Sequence, residues 1–357
     1  MRQFLSHMNN IGPLIINLDS TDISSHEENL LKNTLIGGVI LFEHNYIDQK
    51  QIINLIKKIK KINSRILISV DHEGGRVQRF KNKFTRLPSF ESIGEIYTDN
   101  KNLGEDLAYS CGYVAGYELK SIGIDINFSP VIDLSSESKV LKSRTFSSVP
   151  QIVVKLASRY IEGLIDNGII PVLKHYPGHG LVSSDTHTEV STCKLPFDKI
   201  FLHLSVFRDI INHFDIPIMT SHVQFSDIDS EPVTTSSKWL KTIANEYFKN
   251  KTFFISDDLE MSGINKYHTN LSKVEIIKQA LCNGCSMVIV TTMQAERVIN
   301  EKSSHLYYQN EYFNHINPED FKNRYINLPC LDNIIYNEGK TSTYKEALRN
   351  ITKRRDI

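Results

Sequence analysis

Eight short apolar runs recur along the chain, each followed by a longer amphipathic stretch, and no other feature limits the possible folds as tightly. They are PLIINLD (13–19), GGVILF (37–42), RILISVD (65–71), IDINFSPVID (124–133), IIPVLKH (169–175), IPIMTSHV (216–223), TFFISDDL (252–259) and CSMVIV (285–290). Runs this short, rich in β-branched residues and edged by turn formers, mark strands buried on both faces. The stretches between them carry apolar residues at helical spacing. QIINLIKKIKKI sets Ile52, Leu55, Ile56 and Ile59 along one stripe with lysines opposite, and VVKLASRYIEGLIDNG ends in Gly168, a natural C-terminal cap. Strands alternating with helices predict an α/β protein with a parallel sheet, and eight strands is the number that closes a (β/α)8 TIM-type barrel. The alternative is a doubly wound open sheet, but no Gly-rich dinucleotide fingerprint follows the first strand.

The chain of 357 residues, 40% hydrophobic and 23% charged, is long enough for one large barrel. Lys+Arg and Asp+Glu each total 41, so there is none of the basic excess that nucleic-acid binding normally needs. The start, MRQFLSHMNNIGP, lacks a signal-peptide core, and no stretch approaches the ~20 apolar residues of a membrane span. No nucleic-acid or membrane partner is therefore expected. Five cysteines (111, 193, 282, 285 and 330) are odd in number and scattered, which fits reduced thiols in a cytoplasmic protein. CNGC at 282–285 reads as a pair of buried structural thiols. The last sixty residues are polar, aromatic and irregular until TYKEALRNITKRRDI, which has the pattern of a terminal helix. No Gly/Ser/Pro-rich linker separates them, so residues 1–300 read as one catalytic barrel and 301–357 as a C-terminal extension packed on it, in a monomer.

Polar groups fall at the ends of the apolar runs: Asp19, Asp71, Asp133, Lys174 with His175, His222, and Asp257 with Asp258. One such carboxylate is often only an N-cap for the next helix. Eight polar groups at six such ends, gathered on the C-terminal rim of a barrel, predict a binding pocket. Arg76, Arg79 and Arg144 fall in the loops that follow, which suits a polyhydroxylated substrate. KHYPGHGLVSSDTHTEV (174–190) crowds three histidines, a lysine and an aspartate into one glycine-containing segment. A metal site, a catalytic dyad and a solvated loop all stay open on composition alone.

Three segments carry a resemblance: VDHEGGRVQRF (70–80), KHYPGHG with DTH (174–187) and ISDDLEM (255–261), supported by GGVILFEHNY, INFSPVIDL and SRTF. In order and spacing they are similar to the bacterial β-N-acetylglucosaminidases of glycoside hydrolase family 3, the enzymes of peptidoglycan recycling. The likeness runs from about residue 10 to about residue 295 and fades in the C-terminal extension. It implies a (β/α)8 barrel and a retaining exo-glycosidase with neither cofactor nor metal. Its substrate would be N-acetylglucosaminyl-anhydromuropeptides. It places the nucleophile on Asp257 and the acid/base on His187, paired with Asp185. The substrate contacts fall on Asp71, Arg79, Arg144, Lys174 and His175.

A histidine acid departs from the usual pair of carboxyl groups, yet an imidazole titrating near ~6.5 and nudged upward by Asp185 is a competent donor near neutrality. Gly178 and Gly180 are expected to let the segment swing over bound sugar, His179 to be structural and Asp258 to cap the next turn. Departures from the family's letters are His44 for Arg, His72 for Gln, Thr186 for Ser, Val190 for Pro and Ser286 for Asp. The rival readings are a metal-dependent hydrolase using His175, His179, Asp185 and His187, and an inactive sugar-binding protein. Against the first, neither H-x-H nor H-E-x-x-H occurs in its expected place. Against the second, Asp257, Asp185 and His187 are all intact.

Overall fold

The eight apolar runs become eight parallel strands: β1 Leu14–Asn17, β2 Ile36–Leu41, β3 Leu67–Val70, β4 Ile126–Asn127, β5 in two segments (Ile170–Pro171 and Leu173–Tyr176), β6 Ile218–Thr220, β7 Phe254–Asp258 and β8 Cys285–Val290. The computed structural model describes residues 11–135, 141–182, 190–248, 253–301 and 338–352. Each strand pairs with its sequence neighbours, and β1 also pairs with the last strand, Leu14 standing opposite both Ile36 and Val288. The two ends of the sheet are the two segments of β5, so the sheet meets itself at one residue. At that seam Val172 donates its N–H to Asn127 O at 3.1 Å, and Leu173 donates to Pro217 O at 3.0 Å. The result is the closed (β/α)8 TIM-type barrel, and the open-sheet alternative is set aside.

The helices are α1 Ser25–Leu31, α2 Gln49–Ile62, α3 Phe90–Asp99, α4 Lys101–Ile122, α5 Pro150–Ile165, α6 Phe197–Ile211, α7 Ala244–Phe248, α8 Ser262–Tyr267, α9 Lys273–Asn283, α10 Thr292–Asn300 and α11 Glu338–Thr352. On α2 the buried residues are Ile52, Leu55, Ile56 and Ile59, the stripe seen in the sequence. Each such side chain contributes roughly 1.5–3 kcal/mol on burial. The Asp48 side chain starts this helix by accepting the Gln51 N–H at 2.8 Å. Beyond α5, Gly168 adopts φ +70°, with Gly168 N–H bonded to Ile165 O at 2.8 Å and Ile169 N–H to Leu164 O at 3.2 Å. Those paired bonds are a Schellman close, which needs the left-handed residue glycine supplies.

Two short pairings shape the C-terminal mouth of the barrel. After β3 the chain folds into an antiparallel hairpin, His72–Gly74 against Val77–Gln78. Thr192–Cys193 pairs with Gln224–Phe225, tying the loop after β5 to the loop after β6. At the outer wall α11 lies against α4, with the Tyr344 and Tyr117 rings 4.5 Å apart and Ala347 and Ile351 buried. One thiol reading is corrected: Cys285 is buried at the start of β8, whereas Cys282 is exposed because it lies on the outer side of α9. Among the described residues no helix is long and apolar enough to cross a membrane.

Candidate active site

The strand ends after β3, β4 and β5 bring two carboxylates and three cations into one cluster. Asp71 follows β3 directly, and Glu73 lies two residues on, in the hairpin. Lys174, on β5, is 2% exposed and reaches Asp71 Oδ1 at 2.8 Å and Glu73 Oε1 at 2.7 Å. Arg144 grips Glu73 with two parallel bonds, Nε to Oε2 at 2.9 Å and Nη2 to Oε1 at 2.8 Å. That fork geometry is what a guanidinium does best. Arg79 Nη2 donates to Asp71 Oδ2 at 3.2 Å while its guanidinium lies 5.4 Å over the Phe42 ring.

Burial works against both carboxylate charges, and the cations win. Lys174 and then Arg79 hold Asp71 well below the usual carboxylate range. Arg144 and Lys174 bring Glu73 down to about 2. Reciprocally, burial favours loss of the Arg144 proton, but the charge of Glu73 raises its pKa. At neutral pH neither carboxyl carries a proton to give, so this cluster can bind and orient but cannot act as an acid.

Beside it, Asp133 organises the start of the 174–190 segment. Its Oδ2 accepts His175 Nδ1 at 2.8 Å and the His175 N–H at 3.2 Å, and its Oδ1 accepts the His179 N–H at 2.6 Å. Burial, opposed by these bonds and by His175, leaves the Asp133 carboxyl below its ordinary value. The His175 ring is thereby fixed with its other nitrogen free to face a ligand. His179 is buried, which pushes it down to about 4 despite the charges of Asp133 and Asp257 nearby.

Gly178 and Gly180, expected to lend the segment freedom, also have a packing part at its base. Gly178, at φ +140°, is packed so that a Cβ would stand 2.6 Å from His203 Cβ, and a Cβ on Gly180 would stand 2.4 Å from Leu134 O. These glycines let two backbones and α6 approach closely, and so they fix the base of the segment. His203, almost fully buried, has its pKa lowered by that burial.

Across the mouth, β7 ends in Asp257 and Asp258, both partly exposed. Asp257 Oδ1 accepts the Asp258 N–H at 2.9 Å, and Asp258 Oδ1 accepts the Glu260 N–H at 2.9 Å, closing the following turn. His222, after β6, lies 2.8 Å from Thr234 Oγ1 and 3.0 Å from Asp258 O, so it braces the end of β7. A cavity of about 210 Å³ opens on this side, lined by Asn17, Phe42, His44, Asp258 and Thr291 among others.

Of the residues singled out in the sequence, Asp71, Arg79, Arg144 and Lys174 meet in the cluster, His175 is held beside it by Asp133, and Asp257 stands on the same rim. Asp185 and His187 lie outside the described residues. Asp19 is exposed and lies two residues beyond the end of β1 at Asn17. Sequence reasoning gave Glu73 no role, although it is the hub for Arg144 and Lys174. The available signal was its position two residues after Asp71 in an extended segment, hence on the same side. Asp133 was noted only as a strand-end carboxylate, with no hint that it orients His175.

The sequence model of the glycosyl hydrolase family 3 N terminal domain matches residues 9–308. The chain belongs to glycosyl hydrolase family 3. It is a glycoside hydrolase. Among family 3 relatives, it is 39% identical to the beta-hexosaminidase of Nitrosomonas eutropha over 283 residues, covering 78% of this chain and 80% of that one. It is 34% identical to the beta-hexosaminidase of Hydrogenovibrio crunogenus over 306 residues, covering 84% and 85%. Native NagZ from Neisseria gonorrhoeae superposes with a TM-score of 0.82 at 27% identity, covering 96% of this chain and 98% of that one. The same NagZ in complex with N-trifluoroacetyl-D-glucosamine gives 0.81 at 27% identity, covering 96% and 99%.

Proposed function

We propose that this family 3 enzyme is a retaining exo-β-N-acetylglucosaminidase that removes non-reducing terminal N-acetylglucosamine from peptidoglycan-derived muropeptides, working as a cytoplasmic monomer. The observation that carries the reading is the division of the rim. A partly exposed carboxylate, Asp257, stands at the end of β7 and shares the mouth with the interlocked Asp71, Glu73, Arg144 and Lys174. The beta-hexosaminidase relatives and the amino-sugar complex of the similar NagZ support the choice of sugar.

In this reading Asp71 accepts hydrogen bonds from sugar hydroxyls, while Arg79, Arg144, Lys174 and His175 donate to them. The bound ring thereby offers its anomeric carbon to Asp257, which is held by a rigid strand end as attack requires. Protonated His187 gives its proton to the glycosidic oxygen as the bond to the aglycone breaks, leaving a glycosyl ester on Asp257. The now neutral imidazole takes a proton from water, the water oxygen attacks the same carbon, and the Asp257 carboxylate departs. Two inversions retain the β configuration. Asp185 holds one ring nitrogen of His187 so that the other faces the reaction.

The test is a panel of aryl β-glycosides with the product anomer followed by NMR. The proposal expects turnover of the β-N-acetylglucosaminide far above that of the β-glucoside, with β-N-acetylglucosamine formed first. Preference for the glucoside, or first release of the α-anomer, overturns it.

A further inference from the structure

A buried carboxylate on the outer wall ties the C-terminal helix to the loop that presents Arg79. Glu118, on α4, is 8% exposed, and its charge is met by hydrogen bonds. Thr85 Oγ1 donates to its Oε1 at 2.6 Å and Thr85 N–H to its Oε2 at 3.0 Å, while Tyr344 Oη of α11 donates to Oε1 at 2.9 Å. Burial pushes the Glu118 carboxyl up, and the opposing pull comes from Thr85 and Tyr344. Thr85 is held from its other side as well, because its carbonyl accepts Gln78 Nε2 at 2.9 Å. Gln78 is almost fully buried. It also donates to Phe80 O at 3.0 Å and accepts the Leu87 N–H at 3.0 Å, closing the loop from 78 to 87 on itself. Gln78 is the residue before Arg79, whose guanidinium bridges Asp71 and the Phe42 ring.

We infer that α11 is a positioning element for substrate binding: the contacts Tyr344–Glu118–Thr85–Gln78 set the register of the 78–87 loop and so the place of the Arg79 guanidinium at the mouth. The inference rests on Arg79 being a sugar contact, as proposed above. A loop of this kind, with Lys83 in the left-handed region at φ +59°, holds its shape only when its surroundings over-determine it. Glu118 is the group that does so from outside the barrel, and Tyr344 supplies one of its hydrogen bonds from the C-terminal extension. The extension thereby gains a role at a site whose residues all come from the barrel.

The test is Tyr344→Phe, which keeps the ring packed on Tyr117 and removes only the hydroxyl. KM for an aryl β-N-acetylglucosaminide should rise by about two- to tenfold, the effect of one lost hydrogen bond, with kcat nearly unchanged. Amide exchange of the 78–87 peptide should quicken, because the Thr85 and Leu87 N–H groups both belong to the brace. In an Arg79→Ala background the same substitution should change KM no further. Glu118→Gln should shift KM in the same direction. A lower melting temperature with unchanged KM and unchanged exchange overturns the coupling, as does a KM effect that persists in full without Arg79. If Arg79→Ala alone leaves KM unchanged, the sugar contact of Arg79 is what fails, and the exchange rate of the 78–87 peptide still decides whether α11 holds the loop.

Discussion

The two sides of the barrel mouth use the same residue types for opposite ends. On the β3–β5 side, Asp71 and Glu73 are locked to Lys174, Arg79 and Arg144, and their carboxyls are held far below the range in which a proton could be exchanged near neutrality. On the β7 side, Asp257 is partly exposed and accepts a backbone N–H from Asp258. A carboxylate surrounded by cations is a fixed acceptor, shaped for hydroxyl recognition. One held by a strand end and partly exposed suits the attack proposed for it. In the proposed mechanism, environment more than residue identity divides binding from chemistry.

Substitutions on the two sides should therefore differ in kind. Asp257→Ala should lower kcat on all glycosides by on the order of 10⁵-fold while circular dichroism and the melting temperature stay close to wild type. Retained turnover would place the chemistry elsewhere on the rim. His187→Ala sharpens the same contrast. It should cost about 10²- to 10⁴-fold on substrates with poor leaving groups and far less on activated aryl glycosides, because only the former need a proton. Equal losses on both would remove His187 from the acid role.

On the binding side the damage should appear as stability. Glu73→Gln leaves Arg144 and Lys174 without their shared anion and should cost about 3–5 kcal/mol in urea unfolding. A neutral result would mean that the cluster is less closed to water than its geometry indicates. Smallest is an effect of pH next to that cluster. His72 is buried between Phe80 and Phe84, and burial, aided by Arg79 and Arg86, pushes its pKa down to about 3. The unfolded chain takes up that proton below about 6.5 and the folded chain does not, so stability falls as pH drops from 6.5 toward 3, by about 1.4 kcal/mol per unit. His179, pushed down to about 4, adds to the same slope. Glu73 loses its contribution only as pH falls through the ordinary glutamate value of about 4.5. Between 6.5 and 4.5, His72 and His179 therefore act together with the other lowered histidines, His203 and His268, while the raised Glu118 works against them. His72→Gln should flatten the plot of urea midpoint against pH in that window, and an unchanged slope would show that His72 is hydrated.

Much of the frame is legible in the residues themselves, because a strand buried on both faces has to be an apolar run and α2 has to show its Ile52–Ile59 stripe. What escapes is set by partners far away in sequence. The run 124–133 reads as one long strand, yet only Ile126–Asn127 pair with both neighbours, and the chain rejoins the sheet at Val131 opposite Lys174. Glu73 and Arg144 are 71 residues apart, and Asp71 and Lys174 are 103 apart, so no local pattern announces either pair. Gly178 and Gly180 show a packing role that sequence alone conceals. Glycine in a polar loop suggests freedom, whereas here it admits His203 and the Leu134 carbonyl at contact distance.

Asp257 as the attacking group can be tested by trapping. A 5-fluoro-N-acetylglucosaminyl fluoride, which forms the glycosyl ester faster than water removes it, is added to the enzyme, and the digested protein is sequenced by mass spectrometry. The expected result is one added sugar on the peptide spanning residues 252–266 (TFFISDDLEMSGINK), with fragment ions placing it on Asp257. A label on Asp258, on a carboxylate of the β3–β5 cluster, or on no residue while turnover continues would contradict it.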